Sequence, residues 1–401
     1  MNKLIRCFVY AFLAVSIGCS AVMLTSCTEQ SDPSSSAPES TVPEATEEAA
    51  AEQNTPFSAE GTQFSAISGF YDSGFSLAIT APEGSVIYYT LDGSAPTAES
   101  TRYEAPIPIV DRSPEENTLS MRTDIAQPLA YAKRFLPQSP VDKATVVRAM
   151  CVDASGKQSG VVTNTYFVGF DQKASYYQDT KVVSLVMDER DLFDYERGIY
   201  VMGKVYDDWM NGDDYDPETP DFFMPCNYTQ KGREWERDAV IQIFEDGKPA
   251  VSQDAGIRIH GGATRSYPQK SFKVFARKEY GAGKLNYDLF SGAVRSQADG
   301  SALTEFDSFL LRNGGNDAQY TRFSDKLVQS LVADRQFLTQ GMEPCIVFIN
   351  GEFWGHYELT EKLDKDFVSD HYGIPAKNIC IIKKEALEDG SEEGFADWER
   401  L

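Results

Sequence analysis

The stretch from Gly256 to Phe275, GIRIHGGATRSYPQKSFKVF, gathers basic side chains around one glycine-bearing turn. Arg258, His260, Arg265, Lys270 and Lys273 crowd there in a chain whose formal net charge is −24. Positive side chains around a turn that can aim backbone N–H groups suit an anion, and phosphate is the first candidate. A solvated basic hairpin is the alternative, because a glycine-rich loop alone is a weak signal.

The elements that must position these residues are a strand, a tight turn and a second strand. Side chains alternate along a strand, so Ile257 and Ile259 point one way and Arg258 and His260 the other. Gly261 and Gly262 follow, where the backbone can take a positive φ or admit a ligand closely. After Pro268 the second strand, Ser271 to Phe275, turns Phe272 to one face and Ser271 and Lys273 to the other.

The chain has 401 residues, 42% of them hydrophobic, with 24 Phe and 20 Tyr. That is enough for two or three domains and a sizeable core. Lys plus Arg total 37 against 61 for Asp plus Glu, which argues against a nucleic-acid partner. The seven Cys include no CxxC pair and there are only three His, so a structural zinc site is not expected. Buried thiols and a disulfide both remain open for the Cys beyond the leader.

Residues 1–27 read as a targeting segment: Lys3 and Arg6, an apolar run from Phe8 to about Met23, then Leu24-Thr25-Ser26-Cys27. The last four residues resemble the lipobox of bacterial lipoproteins. That implies lipid attachment at Cys27, a membrane anchor and an extracytoplasmic location. Residues 28–62 are rich in Ser, Glu, Pro, Thr and Ala and should form a disordered spacer.

Residues 63–170 show short alternating strands and turn signals, the pattern of an all-β sandwich of the immunoglobulin or fibronectin kind. Phe75, Leu77 and Ile79 alternate with polar residues, and Tyr88-Tyr89-Thr90-Leu91-Asp92-Gly93-Ser94 runs from strand into turn. This segment resembles the module appended to chitobiases and β-hexosaminidases, usually an accessory domain. Pro114 to Pro140 reads as an insertion between strands. Tyr71, Tyr88 and Tyr103 suit either the core or a glycan platform.

From about residue 180 to 401 strands and helices mix. Val182 to Val186 opens this part, and Asp207 to Phe223 reads as a long loop. FDSFLL leads into Arg312-Asn313-Gly314-Gly315-Asn316-Asp317. Phe323 to Leu338 has helical spacing with Phe323, Leu327 and Leu331 on one apolar face and Ser324 as N-cap. Asn350-Gly351 is a hairpin turn, and Lys362 to Tyr372 a helix ending at Gly373. His356 is expected to be a packed ring, and His371 to complement a helix dipole.

The blocks GIRIHGGATRSYPQKSFKVF, FLLRNGGND, FINGEFWGHYELTEKLD and LFDYERGIYV, in that set, resemble the spore-coat CotH kinase family. The resemblance implies an α+β atypical protein-kinase-like domain that transfers phosphate from ATP, with Mg or Mn, to Ser or Thr of a protein. On its implication Lys273 and Glu361 are the catalytic pair, since kinases pair a strand Lys with a helix Glu. Arg258, His260, Arg265 and Lys270 would hold the nucleotide. Arg312, Asn313, Asn316 and Asp317 either cap their turn or touch nucleotide. The family's metal-holding aspartates are expected beyond Leu401, so the domain is expected to be incomplete at its C-terminus, as a fragment or an inactive relative. A surface lipoprotein that binds glycan or protein without catalysis is the competing expectation. The protein substrate is not legible.

Overall fold

The computed structural model describes residues 61–127, 136–335 and 338–400. Cys27, the targeting segment and the spacer up to residue 60 lie outside the described residues. No helix among the described residues is long and apolar enough to cross a membrane.

The first part is a β-sandwich. Its five-stranded sheet runs Gly69–Tyr71, Val162–Val168, Thr145–Val152, Val86–Thr90 and Thr101–Arg102. Two short pairs accompany it, Phe75–Leu77 with Ile107–Ile109 and Gln63–Phe64 with Ile79–Thr80. Leu77, Ile79, Ile107, Ile109, Val147, Ala149, Tyr166 and Val168 form its core. Tyr71 and Tyr103 pack against that core. Their hydroxyls are engaged by Ile67 O and by the Ile79 N–H.

The second part is a closed seven-stranded barrel. Its strands are β1 (Lys181–Val186), β2 (Arg237–Glu245), β3 (Lys248–His260), β4 (Ser271–Phe275), β5 (Ser308–Arg312), β6 (Met342–Ile349) and β7 (Glu352–Glu361). They follow one another around the barrel as β1-β2-β3-β4-β5-β7-β6, and β6 returns to β1 in parallel. Val183, Leu185, Ile257, Ile259, Phe272, Val274, Phe309, Leu311 and Leu359 belong to the main core. The β6–β7 hairpin turns at Asn350 (φ 47°) and Gly351 (φ 84°), both left-handed as a two-residue turn of this type requires. A Cβ at Gly351 would lie 2.4 Å from Ala144 O.

Every residue of β1 is buried. Its apolar run is nearly unbroken because both faces are covered, a pattern usual for strands buried on two sides. Val182, Phe244, Ile346 and Phe348 meet Ala144, Phe167, Phe170 and Tyr177 in a second cluster. Phe167 stands 5.1 Å, centroid to centroid, from both Phe244 and Phe348, and each such aromatic pair is worth about 0.5–1.5 kcal/mol beyond area burial. A buried polar set lies alongside. Thr165 donates to Gln242 Oε1 at 2.6 Å, and Gln242 Nε2 donates to Ser68 Oγ and Thr163 O.

The insertion after Ile109 is more than a connection. Glu352, at the start of β7, is buried and accepts from Thr118 N and Oγ1 (both 3.0 Å), Leu119 N (3.3 Å) and Ser120 N (2.7 Å). Leu119 and Ile125 enter the barrel's core cluster. The insertion is thus a strap on the barrel, although residues 128–135 lie outside the described residues.

Helix α1 (Ser324–Ser330) is shorter than its spacing predicts, and Ser324 is its first residue, with Phe323 in the cap position. Phe323, Leu327 and Leu331 are all exposed. Asp325 and Gln329 instead make its hydrogen bonds to the rest of the fold, with Arg312 and Gln340, so the apolar period does not mark the buried face. Helix α2 (Lys365–Tyr372) starts at an N-cap, Asp364, and stops at Gly373 (φ 64°). The expected loop from Asp207 begins inside a helix, Gly203–Met210.

Residues 380–400 belong to a separate compact unit. There Ile381–Lys383 pairs with Ala386–Asp389, and Ser391 caps a final helix, Glu392–Glu399.

Candidate functional site

The register of the sheet decides which side chains meet. Arg258 lies opposite Lys273 and His260 opposite Ser271. Lys273 lies opposite Leu310, Leu310 opposite Thr360, and Arg312 opposite Glu358. Directly opposed residues share a face. Phe272 and Leu311 fill the barrel, so these polar residues line its outer face. Lys273 shares the Ser271 side, as its alternation with Phe272 predicts, and that side is the barrel's exterior.

Lys273 Nζ lies 3.2 Å from Asp364 Oδ2 and 4.7 Å from the Phe275 ring centroid. Burial lowers its pKa, and Asp364 partly restores it. His260 is half-buried, and its ring makes no hydrogen bond to a described residue. Burial, then the charges of Lys362, Arg265, Lys273 and Arg312, push its pKa down to about 3, so it is a neutral ring at physiological pH. Burial is the larger cause, and the four cations add to it.

Arg312 Nη1 donates to Asp325 Oδ2 on α1 at 2.5 Å and lies 3.8 Å from Glu358 Oε2. Glu358 is buried, and neither carboxylate oxygen accepts a hydrogen bond from a described residue. Burial raises its pKa, against the pull of Arg312. Arg312 thus lies between two carboxylates, Asp325 on α1 and Glu358 on β7.

Arg258 faces the right way but is held at the far end of the face. Its Nε is 3.3 Å from Glu236 Oε2, and Arg233 and Arg277 bond the same carboxylate. Arg258, Lys273 and Arg277 all lie within 4.7 Å of the Phe275 ring centroid. Gly256 leaves room for this: a Cβ there would lie 2.4 Å from Glu236 Oε1 and 2.5 Å from the Tyr280 ring.

Three expected positions are corrected. Lys270 is fully buried on the opposite side, because β4 alternates and Ser271 and Lys273 take the outer face. Its Nζ donates to Arg265 O (2.7 Å) and Tyr267 O (2.8 Å), 3.7 Å from the Tyr228 ring centroid. Burial holds its pKa well below the usual lysine value. Arg265 is buried too and donates to the carbonyls of Gly261, Tyr228 and Gln230. Burial, then Arg258, lowers its pKa to about 10. Both residues brace the turn. Glu361 does not pair with a lysine. It shares the Leu359 face, and its carboxylate meets His371 Nε2 at 2.9 Å and the Gly341 N–H at 2.7 Å. His371 is accordingly a buried partner of Glu361, its ring tilted against Phe367 at 4.2 Å, more than a dipole complement.

Asn313 is structural: it bonds Ser271, Gln269 O and the Gly315 N–H. Asp317 caps the Thr321–Ser324 turn. His356 is exposed, with its ring edge-on to Phe353 at 6.2 Å. The residues that the sequence reading missed are Asp364, Asp325 and Glu236. Asp364 carried a signal, since it closes the block ELTEKLD three residues before Phe367, whose N–H it accepts.

The outer face sets Lys273, Arg312 and Lys362 near neutral His260, with Asp364, Asp325 and Glu358 against the first two cations. Among the described residues no group of three or more His, Cys, Asp or Glu is placed to hold a metal ion.

The fold thus joins a β-sandwich to a mixed α+β domain with a cation-lined sheet face. Residues 257–399 match the family model described as CotH kinase protein, and residues 77–166 the one described as Fn3 associated. The chain therefore carries a CotH region preceded by an Fn3-associated sandwich. No curated protein matches it.

Proposed function

We propose that this chain is an exported, lipid-anchored protein kinase of the CotH type. In this reading it uses ATP with a divalent cation and phosphorylates Ser or Thr of a surface or coat protein. The observation that carries the reading is the sheet register that puts Arg258, Lys273 and Arg312 on one outer face with His260, within the CotH-matched region.

Each residue's part follows from its place. Lys273 and Lys362 oppose the negative charge of the triphosphate. Arg312, fixed by Asp325, offers its remaining N–H groups to phosphate oxygens, since a guanidinium presents several donors in a rigid fork. His260 donates one N–H while neutral. A divalent cation, when present, would supply neutralisation of the charge that develops on the phosphate. As the phosphates arrive, Lys273 trades part of its contact with Asp364 for them.

One observation favours the competing reading of a non-catalytic surface scaffold: Arg258, Lys273 and Arg312 each already face a carboxylate. Calorimetric titration separates the two. ATP with Mg²⁺ or Mn²⁺ should give saturable binding that Lys273→Met abolishes. A wild-type protein showing neither heat nor a thermal shift with nucleotide leaves the scaffold.

A further inference from the structure

A cleft of about 250 Å³ lies between the strap and the barrel. The strap supplies Ser120, Ile125, Pro137 and Val141. The β3–β4 connection supplies Tyr267, Pro268 and Gln269, and β7 supplies Phe353 and Trp354. Arg322 and Gln319 close one side, and among the described residues no Lys, Asp or Glu lines it. Binding sites favour such seams between modules, with apolar walls and a few placed polar groups.

Arg322 is held for a purpose other than charge pairing. Its backbone is left-handed (φ 67°), an uncommon state for a side chain of this size. Nη1 donates to Gln269 Oε1 at 2.7 Å and to His356 O at 3.0 Å. Gln269 Nε2 donates to the same carbonyl, so its amide is oriented. A Cβ at Gly355 would lie 2.8 Å from that amide nitrogen. Nε and Nη2 of Arg322 meet no acceptor among the described residues. Those two groups form the edge of the guanidinium that grips a carboxylate with two parallel bonds. The Trp354 Nε1–H is spent on Tyr200 OH at 3.1 Å, which leaves the indole to act here as an apolar wall.

We propose that this cleft docks an acidic polypeptide segment, with an Asp or Glu carboxylate on Arg322 and a neighbouring proline or aliphatic side chain against Trp354 and Phe353. Charge complementarity selects the carboxylate. The size selects a segment over a whole small molecule, because the cleft is below the roughly 300 Å³ at which pockets enclosing drug-sized ligands begin. Aromatic-lined grooves of this kind recognise proline-containing extended chains. The inference is independent of whether the outer face takes nucleotide.

The test uses the full chain and three probes at millimolar concentration: acetyl-Pro-Glu-amide, acetyl-Pro-Gln-amide and phenylacetate, followed by calorimetry. The Glu peptide should bind and the Gln peptide at least about tenfold more weakly, as expected when a charge-assisted bidentate contact is lost. Arg322→Gln should remove that preference. Because Arg322 also braces Gln269, Gln319→Glu is the second variant; it places a carboxylate at an exposed wall position and should weaken the Glu peptide alone. Equal binding of the two peptides, phenylacetate binding without peptide binding, or an unchanged preference in both variants would overturn the proposal.

Discussion

Lys273 and Asp364 meet at 3.2 Å, and the other oxygen of the same carboxylate accepts the Phe367 N–H at the start of α2. One side chain thus fixes a cation of the outer face and begins the helix beside it. Asp364→Ala should cost about 1 kcal/mol for the lost cap alone. Leaving a half-buried ammonium without its counter-ion should add to that. The double variant Lys273→Met with Asp364→Ala should be less destabilised than the two singles added together. Urea unfolding of all four proteins measures it, and additivity within about 0.5 kcal/mol would show the pair uncoupled.

His260 gives a pH signature. Its folded pKa, about 3, lies below the ordinary histidine value. Below pH of about 6.5 the unfolded chain therefore binds a proton that the folded one refuses, and stability falls with pH by up to roughly 1.4 kcal/mol per unit until about pH 3. His260→Gln should lose about 1–2 kcal/mol less stability between pH 7 and pH 5 than wild type. Tripolyphosphate bound at this face should raise the His260 titration midpoint, as read from its ring proton resonances. A midpoint that stays put places the anion elsewhere.

The two lysines of β4 and its entry should separate cleanly. Lys270→Met leaves two carbonyls without their donor and should cost about 1–3 kcal/mol of stability. Lys273→Met should leave thermal stability closer to wild type and act on nucleotide binding. If Lys270→Met melts like wild type, the buried ammonium is not what holds the turn.

Glu352 anchors the strap from a distance in sequence. Glu352→Ala strands four donated hydrogen bonds from Thr118, Leu119 and Ser120. Cleavage by a broad-specificity protease between residues 113 and 127 should accelerate, with the barrel core intact. An unchanged cleavage pattern would mean that Leu119 and Ile125 suffice.

What the sequence disclosed and what it hid have the same source, the range over which residues act. The alternation of Ile257, Arg258, Ile259 and His260 is local, and β3 and β4 lie where their patterns put them. The parity that separates Lys270 from Lys273 was also present, but the turn between the strands obscures where alternation begins. Glu361 could not be placed, because its partners, Gly341 and His371, depend on how β6 and α2 close the barrel. The apolar spacing of Phe323, Leu327 and Leu331 predicted burial, whereas α1 is tied to the fold through Asp325 and Gln329. Nothing periodic in Thr118-Leu119-Ser120 announces a carboxylate more than two hundred residues away.

The aromatic seam of Phe167, Phe170, Tyr177, Phe244 and Phe348 makes the sandwich a structural half of the catalytic-looking part. Severed after Gly169, the barrel would present Phe244, Phe348 and an unanswered Glu352 to water and should precipitate on expression. Attempts to obtain the CotH region in soluble form should therefore begin at the sandwich's first strand.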